Sequence, residues 1–154
     1  MPRYQIDTEI EINAGPGTVW RILTDFATYP DWNPFIRAIG GEPTRGAQIG
    51  VRIQPSGARG MSFRPTILVA DVGSELRWLG RLLLPGVFDG EHRFVIQKQA
   101  ERRVLFRQSE RFSGILLPLL RGGLERDTKR GFEEMNLALK ARAEEAQRLQ
   151  IRKR

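Results

Sequence analysis

His92 is the only histidine in a chain of 154 residues that has no cysteine, so the chemistry open to this sequence is narrow. Missing thiols exclude disulfides, thiolate zinc sites, iron–sulfur clusters and cysteine nucleophiles. One imidazole excludes three-histidine zinc sites and two-histidine iron sites, and no acids stand at ligand spacing, so neither a metal nor a cofactor is expected. No glycine-rich loop leads into a lysine, and Ser113-Gly114 lacks the flanking glycine of a nucleophile elbow. What remains is proton and hydrogen-bond chemistry between His92 and carboxyl groups. Glu110 is the acid that stands out. Along 104–112 the residues alternate, and Val104, Phe106 and Phe112 share a face with Gln108 and Glu110. A carboxylate packed dry without a partner is strongly unfavourable or takes up a proton. It must therefore be paired, or meet water in a hollow.

The partner follows from spacing. In 91–96, His92, Phe94 and Ile96 share a face opposite Glu91, Arg93 and Val95. If 87–98 and 102–113 form a hairpin turning at 99–101 or 100–102, His92 lies opposite Gln108 or Glu110. In either register the imidazole and the carboxyl are direct or diagonal neighbours, roughly 5–8 Å between Cβ atoms. We expect a His92–Glu110 contact on the concave face. Three roles suit such a pair: a buried polar contact that fixes sheet register, a ligand-orienting pair facing a carbonyl or hydroxyl, or an acid/base pair in catalysis.

The elements that must position these side chains can be read from periodicity. Residues 4–12 alternate, with Ile6, Ile10 and Ile12 on one face and Asp7, Glu9 and Glu11 on the other, which predicts a strand with one wet side. Pro16 then opens a helix whose Val19, Ile22, Leu23 and Phe26 form one stripe, and Pro30 ends it. Asp31-Trp32-Asn33-Pro34 reads as a short helix or turn, with Asn33 a turn or capping residue. Strands are expected over 35–41, 48–54, 61–72, 75–82, 87–98 and 102–113, separated by glycine and proline turns. The period then changes. Leu120, Leu124, Thr128, Phe132, Met135, Leu139 and Ala143 recur every three or four residues, predicting one amphipathic helix from about Gly123 to Gln147. Gly131 inside it weakens that helix by about 1 kcal/mol relative to alanine, which signals close packing. Connections this short favour antiparallel pairing, and a long apolar stripe needs a sheet to lie on.

Composition sets the remaining bounds. An apolar content of 40% with 28% charged residues fits a soluble domain with a core of its own. The charge is +7, from 25 basic and 18 acidic side chains. Much of it lies in 140–154, where six basic residues face two acidic ones. Cations there suit the negative end of a helix, and they leave weak contact with RNA or an anionic membrane open. No aromatic residues interleave with them, and DNA is not an expected partner. The chain shows neither a leader nor a spanning segment, so a cytoplasmic protein is expected. We divide it into a single domain, 1–148, and a basic tail, 149–154; the oligomeric state stays open.

A family resemblance adds to this reading. Val19-Trp20, Asp25-Phe26 and the run Tyr29-Pro30-Asp31-Trp32-Asn33-Pro34-Phe35 resemble the opening of the polyketide cyclase/dehydrase-like branch of the SRPBCC (START-like) superfamily. So do Gly90-Glu91-His92-Arg93-Phe94, Glu110-Arg111-Phe112-Ser113-Gly114 and Gly131-Phe132-Glu133-Glu134-Met135-Asn136. The resemblance implies a helix-grip fold of class α+β, with a seven-stranded antiparallel sheet curved around a long C-terminal helix and a deep apolar cavity between them. Members include lipid carriers, quinone-binding chaperones and polyketide cyclases. The expected function is binding of a hydrophobic small molecule, a lipid, quinone, polyketide or aromatic metabolite. The expected walls are Phe63, Trp78, Phe94, Phe106, Phe112, Leu120, Leu124 and Phe132, with His92, Gln108 and Glu110 orienting the ligand. A cyclase/dehydrase-type enzyme using Glu110 or His92 as acid/base is the rival, and an interaction module using the basic end is a third reading. The apolar segments 82–88 and 115–120 are expected at the rim of the cavity or packed on the domain.

Overall fold

A computed structural model describes residues 2–57, 59–82 and 84–154. Strand β1 (Arg3–Ile12) leads into helix α1 (Pro16–Thr24) and, after a short 3-10 turn, α2 (Tyr29–Trp32). Seven strands follow: β2 (Ile36–Gly40), β3 (Gly50–Ile53), β4 (Met61–Phe63), β5 (Thr66–Asp71), β6 (Glu75–Leu82), β7 (Phe88–Ala100) and β8 (Arg103–Ser113). Helix α3 (Leu117–Gly123) passes through a π-helical turn, Leu124–Thr128, into α4 (Lys129–Arg152). All strand pairings between these elements are antiparallel. A curved antiparallel sheet and a long C-terminal helix make this an α+β, helix-grip architecture.

The expected single sheet of seven strands is corrected. Five strands form one sheet in the order β1-β8-β7-β6-β5, and β2-β3-β4 form a second. The difference arises at Pro65, inside the segment 61–72 that periodicity reads as one strand. Proline has no N–H for the ladder and drives the residue before it away from regular pairing, so the segment divides. β4 then pairs with β3, while β5 pairs with β6. The Gln48–Thr66 bridge joins the two sheets. Arg64, just before Pro65, is exposed.

The C-terminal helix also departs from expectation. Its regular part begins at Lys129 and continues to Arg152, so most of the basic segment 149–154 is helical. A π turn takes up more residues than an α turn, which rotates the preceding face by about 100° relative to the following one. Thr128, Phe132, Met135, Leu139 and Ala143 stay buried on one stripe, whereas Leu120 upstream is 40% exposed and Leu124 only half-buried.

Gly131 brings α4 against the turn after α2. A methyl group at this position would overlap the Phe35 ring, which packs edge-on against Phe132 at 5.7 Å between centroids. Phe35 is itself buried, held by the Asn33 side chain, whose Oδ1 accepts from the backbone N–H groups of Phe35 (3.0 Å) and Ile36 (2.8 Å). The ring has little room to yield. Gly131→Ala is therefore expected to destabilise the protein by about 1–2 kcal/mol, overriding the ~1 kcal/mol that alanine gains in a helix. The midpoint of urea unfolding checks the sign: a more stable variant would show that the helix can lift off Phe35.

Candidate functional site

The register of the five-stranded sheet arranges its concave side chains in rows. Trp78, His92, Glu110 and Ile6 stand in one row across β6, β7, β8 and β1. The next row, toward the middle of α4, holds Leu76, Phe94, Gln108 and Thr8. On the other side lies a row of Gly80, Gly90, Phe112 and Tyr4. The anticipated His92–Glu110 contact is present, with Nδ1 3.6 Å from Oε2. Two adjacent glycines leave the concave layer thin beside it. Glu110 uses this space: a Cβ built on Gly90 would stand 2.6 Å from Glu110 Oε1. The carboxyl thus occupies the place of a missing side chain.

A chain of hydrogen bonds runs inward from His92. Its Nε2 lies 3.0 Å from Gln108 Oε1. Gln108 Nε2 donates to Asn136 Oδ1 at 2.7 Å and to the Phe132 carbonyl at 3.4 Å. Asn136 Nδ2 donates to Thr8 Oγ1 at 2.9 Å, and the Thr8 hydroxyl donates to the Gln108 carbonyl at 2.8 Å. Strands β1, β7 and β8 and helix α4 are thereby tied together by polar side chains in an otherwise apolar interior. His92, Gln108 and Asn136 are buried, while the Glu110 side chain keeps 15% of its surface exposed.

Burial decides the charge states. It pushes His92 down to about 3, against the opposing effect of its hydrogen bond to Gln108. It pushes Glu110 up to about 8. Near neutral pH the pair is an uncharged imidazole beside a protonated acid, rather than an ion pair. Such an arrangement can orient an uncharged polar group, and Glu110 can supply a proton.

The other anticipated residues divide into three groups. Trp78, Phe94, Phe106, Phe112 and Phe132 are buried. Trp78, Phe94 and Phe132 surround His92, with ring centroids 5.1, 4.3 and 4.8 Å from the imidazole. These rings fill the region directly beneath α4, where a hollow was expected, and leave the Glu110 end as the accessible part. Phe63 is half-buried and comes from the smaller sheet, its ring 3.4 Å from where a Cβ on Gly80 would stand. Leu120 is exposed upstream of the π turn, and Leu124, the first residue of that turn, is half-buried against the core.

The two apolar loop segments meet beyond the glycine row. Ile115 and Leu116 donate their backbone N–H groups to the carbonyls of Gly86 and Val87 at 3.1 Å each. Leu84, Ile115 and Leu119 are exposed. Leu83, part of the same apolar run, lies outside the described residues. Two open clefts lie elsewhere, one along β2–β4 and one between α1 and α4.

Sequence reasoning missed Thr8, Asn136 and the glycine pair. Thr8 is the polar member of the face holding Ile6, Ile10 and Ile12, and Asn136 follows Phe132 by four residues on the buried stripe. Both were signals of the same kind as Glu110. The Gly80–Gly90 pairing needed the β6–β7 register. Among the described residues, no cluster of three or more histidine or acidic side chains is placed to hold a metal ion. Among them, no helix is long and apolar enough to cross a membrane.

Similar proteins give this geometry its context. The chain resembles the aromatase/cyclase ZhuI from Streptomyces sp. R1128 at 16% identity, covering 93% of this chain and 94% of that one, with a TM-score of 0.73. A START superfamily protein from Mycobacterium smegmatis is 20% identical, with coverages of 92% and 98% and a TM-score of 0.67. A norcoclaurine synthase from Thalictrum flavum is 14% identical, with coverages of 94% and 96% and a TM-score of 0.68. Identities this low establish the shared fold alone. No curated protein matches the chain. The family described as polyketide cyclase / dehydrase and lipid transport matches residues 3–144, nearly the whole chain, in agreement with the fold and with the motifs around His92 and Glu110. The protein belongs to that family.

Proposed function

We propose that this protein binds a hydrophobic small molecule, a lipid, quinone, polyketide or aromatic metabolite, at the Glu110 end of the interface between sheet and C-terminal helix. The observation that carries this reading is the exposed 15% of the Glu110 side chain among aromatic walls. A single polar group at the accessible end of an apolar, ring-lined interior is the composition of a small-molecule site. Phe112 and Phe63 flank the glycine row and supply apolar contact, and apolar burial contributes about 25 cal/mol per Å². The family and its fold support a ligand of this general kind.

Native mass spectrometry of the protein purified from its own host tests the proposal. The expected result is a mass increment matching a small organic molecule, released by mild activation. A ligand at a hundred times its Kd should also raise unfolding stability by about 2.7 kcal/mol. Bare protein from the host, with no stabilisation by quinones, fatty acids or fused-ring aromatics, would overturn it.

A second reading, a cyclase- or dehydratase-type enzyme, rests on Glu110 alone. A carboxyl titrating near 8 holds its proton at neutral pH and can act as a general acid. His92 is a poor base for the same work, since burial takes it to about 3. Turnover that disappears in Glu110→Gln while ligand binding persists would favour the enzyme.

A further inference from the structure

We infer that the site takes its ligand through a hydroxyl group, which donates to Glu110 Oε1; phenols, enols and apolar alcohols are favoured over analogues offering only ether or ketone oxygens. The inference rests on the binding reading above and narrows it to a ligand class.

The direction of the hydrogen-bond chain carries the argument. Two of its contacts are main-chain carbonyls, which only accept. Thr8 must donate to the Gln108 carbonyl, so its oxygen accepts from the Asn136 amide nitrogen. Asn136 Oδ1 must then accept from Gln108 Nε2, an orientation that the Phe132 carbonyl enforces independently. Gln108 is left facing His92 with its oxygen, so the imidazole proton belongs on Nε2. Nδ1 consequently presents a lone pair to Glu110 Oε2, 3.6 Å away.

Two lone pairs facing one another are repulsive. A proton on Oε2, directed at Nδ1, resolves the conflict, and burial of Glu110 favours that protonated form. The other oxygen, Oε1, is then a carbonyl oxygen. It rests in the niche over Gly90, with Phe112 nearby, and none of the hydrogen bonds among the described residues engages it. Were the proton moved to Oε1 to greet a ligand carbonyl, the clash at Nδ1 would return. Ionised Glu110 also only accepts, so both protonation states point to a donor on the ligand.

Three probes of one ring system, naphthol, methoxynaphthalene and acetonaphthone substituted at the same carbon, test the inference by calorimetry or fluorescence titration. Comparison with Glu110→Leu and Glu110→Met cancels their differences in hydrophobicity. The preference for naphthol in the wild type, divided by that in either variant, is expected to be about 3–10-fold, the range of one net hydrogen bond. Glu110→Gln should restore the preference, because its amide nitrogen can donate to Nδ1 while its oxygen stays over Gly90. Equal ratios in wild type and Glu110→Leu, or tighter wild-type binding of acetonaphthone, would overturn the hydroxyl assignment and leave the binding site standing. Failure of all three probes to bind the wild type would overturn both.

Discussion

Glu110→Gln is expected to stabilise the protein at pH 8 by about 3 kcal/mol more than at pH 5. The ordinary carboxyl value is 4.5, and burial raises it to about 8 in the folded state. Between these limits the unfolded chain loses the proton while the native one keeps it, so wild-type stability falls as pH rises through this window. His92 has the opposite effect. Its ordinary value of 6.5 drops to about 3 on folding, so stability falls as pH drops from 6.5 toward 3. The two slopes oppose each other between about 4.5 and 6.5, which should give a flat maximum there. Glutamine removes the upper limb because it does not titrate. Each pKa unit corresponds to about 1.4 kcal/mol, and the partial exposure of Glu110 keeps the expectation below the full shift. Urea unfolding of both proteins at pH 5 and pH 8 measures the effect. An identical gap at both values would mean that the carboxyl ionises in the ordinary range.

Gln108→Leu should destabilise the fold by about 4 kcal/mol. Leucine fills a similar volume, so the loss isolates polarity rather than packing. It removes the partner of His92 Nε2 and that of Asn136 Oδ1, and an unsatisfied buried group costs about 1–3 kcal/mol. Combining it with Asn136→Leu should recover part of that loss, because the double variant leaves fewer orphaned groups than the two single variants imply. A loss under 1 kcal/mol, or strict additivity, would indicate that water enters and takes over these bonds.

The legible parts of the molecule were those governed by short-range rules. Alternation placed His92, Gln108 and Glu110 on one face, and hairpin geometry left two registers, of which the structure adopts the one pairing His92 with Glu110. The bounds of β6 coincide with the expected 75–82. What escaped depends on contacts distant in sequence. Pro65 was visible, but its effect on sheet membership depends on β3 being available to pair with β4. The π turn at Leu124–Thr128 is a change of phase that a 3.6-residue template does not allow, so Leu120 was assigned inward. Thr8 and Asn136 acquire their meaning through contacts a hundred or more residues apart.

The niche over Gly90 constrains how this protein can diverge. Any side chain at 90 competes for volume with the Glu110 carboxyl, so the two positions cannot drift independently. Alanine at 90 pushes the carboxyl out of its niche, whereas shortening 110 first leaves a gap that a later alanine can occupy. Lineages that lose the acid should therefore accumulate bulk at 90 afterwards, and chains retaining glutamate at 110 should retain glycine at 90. Substitution order, not merely residue identity, is written into that small space.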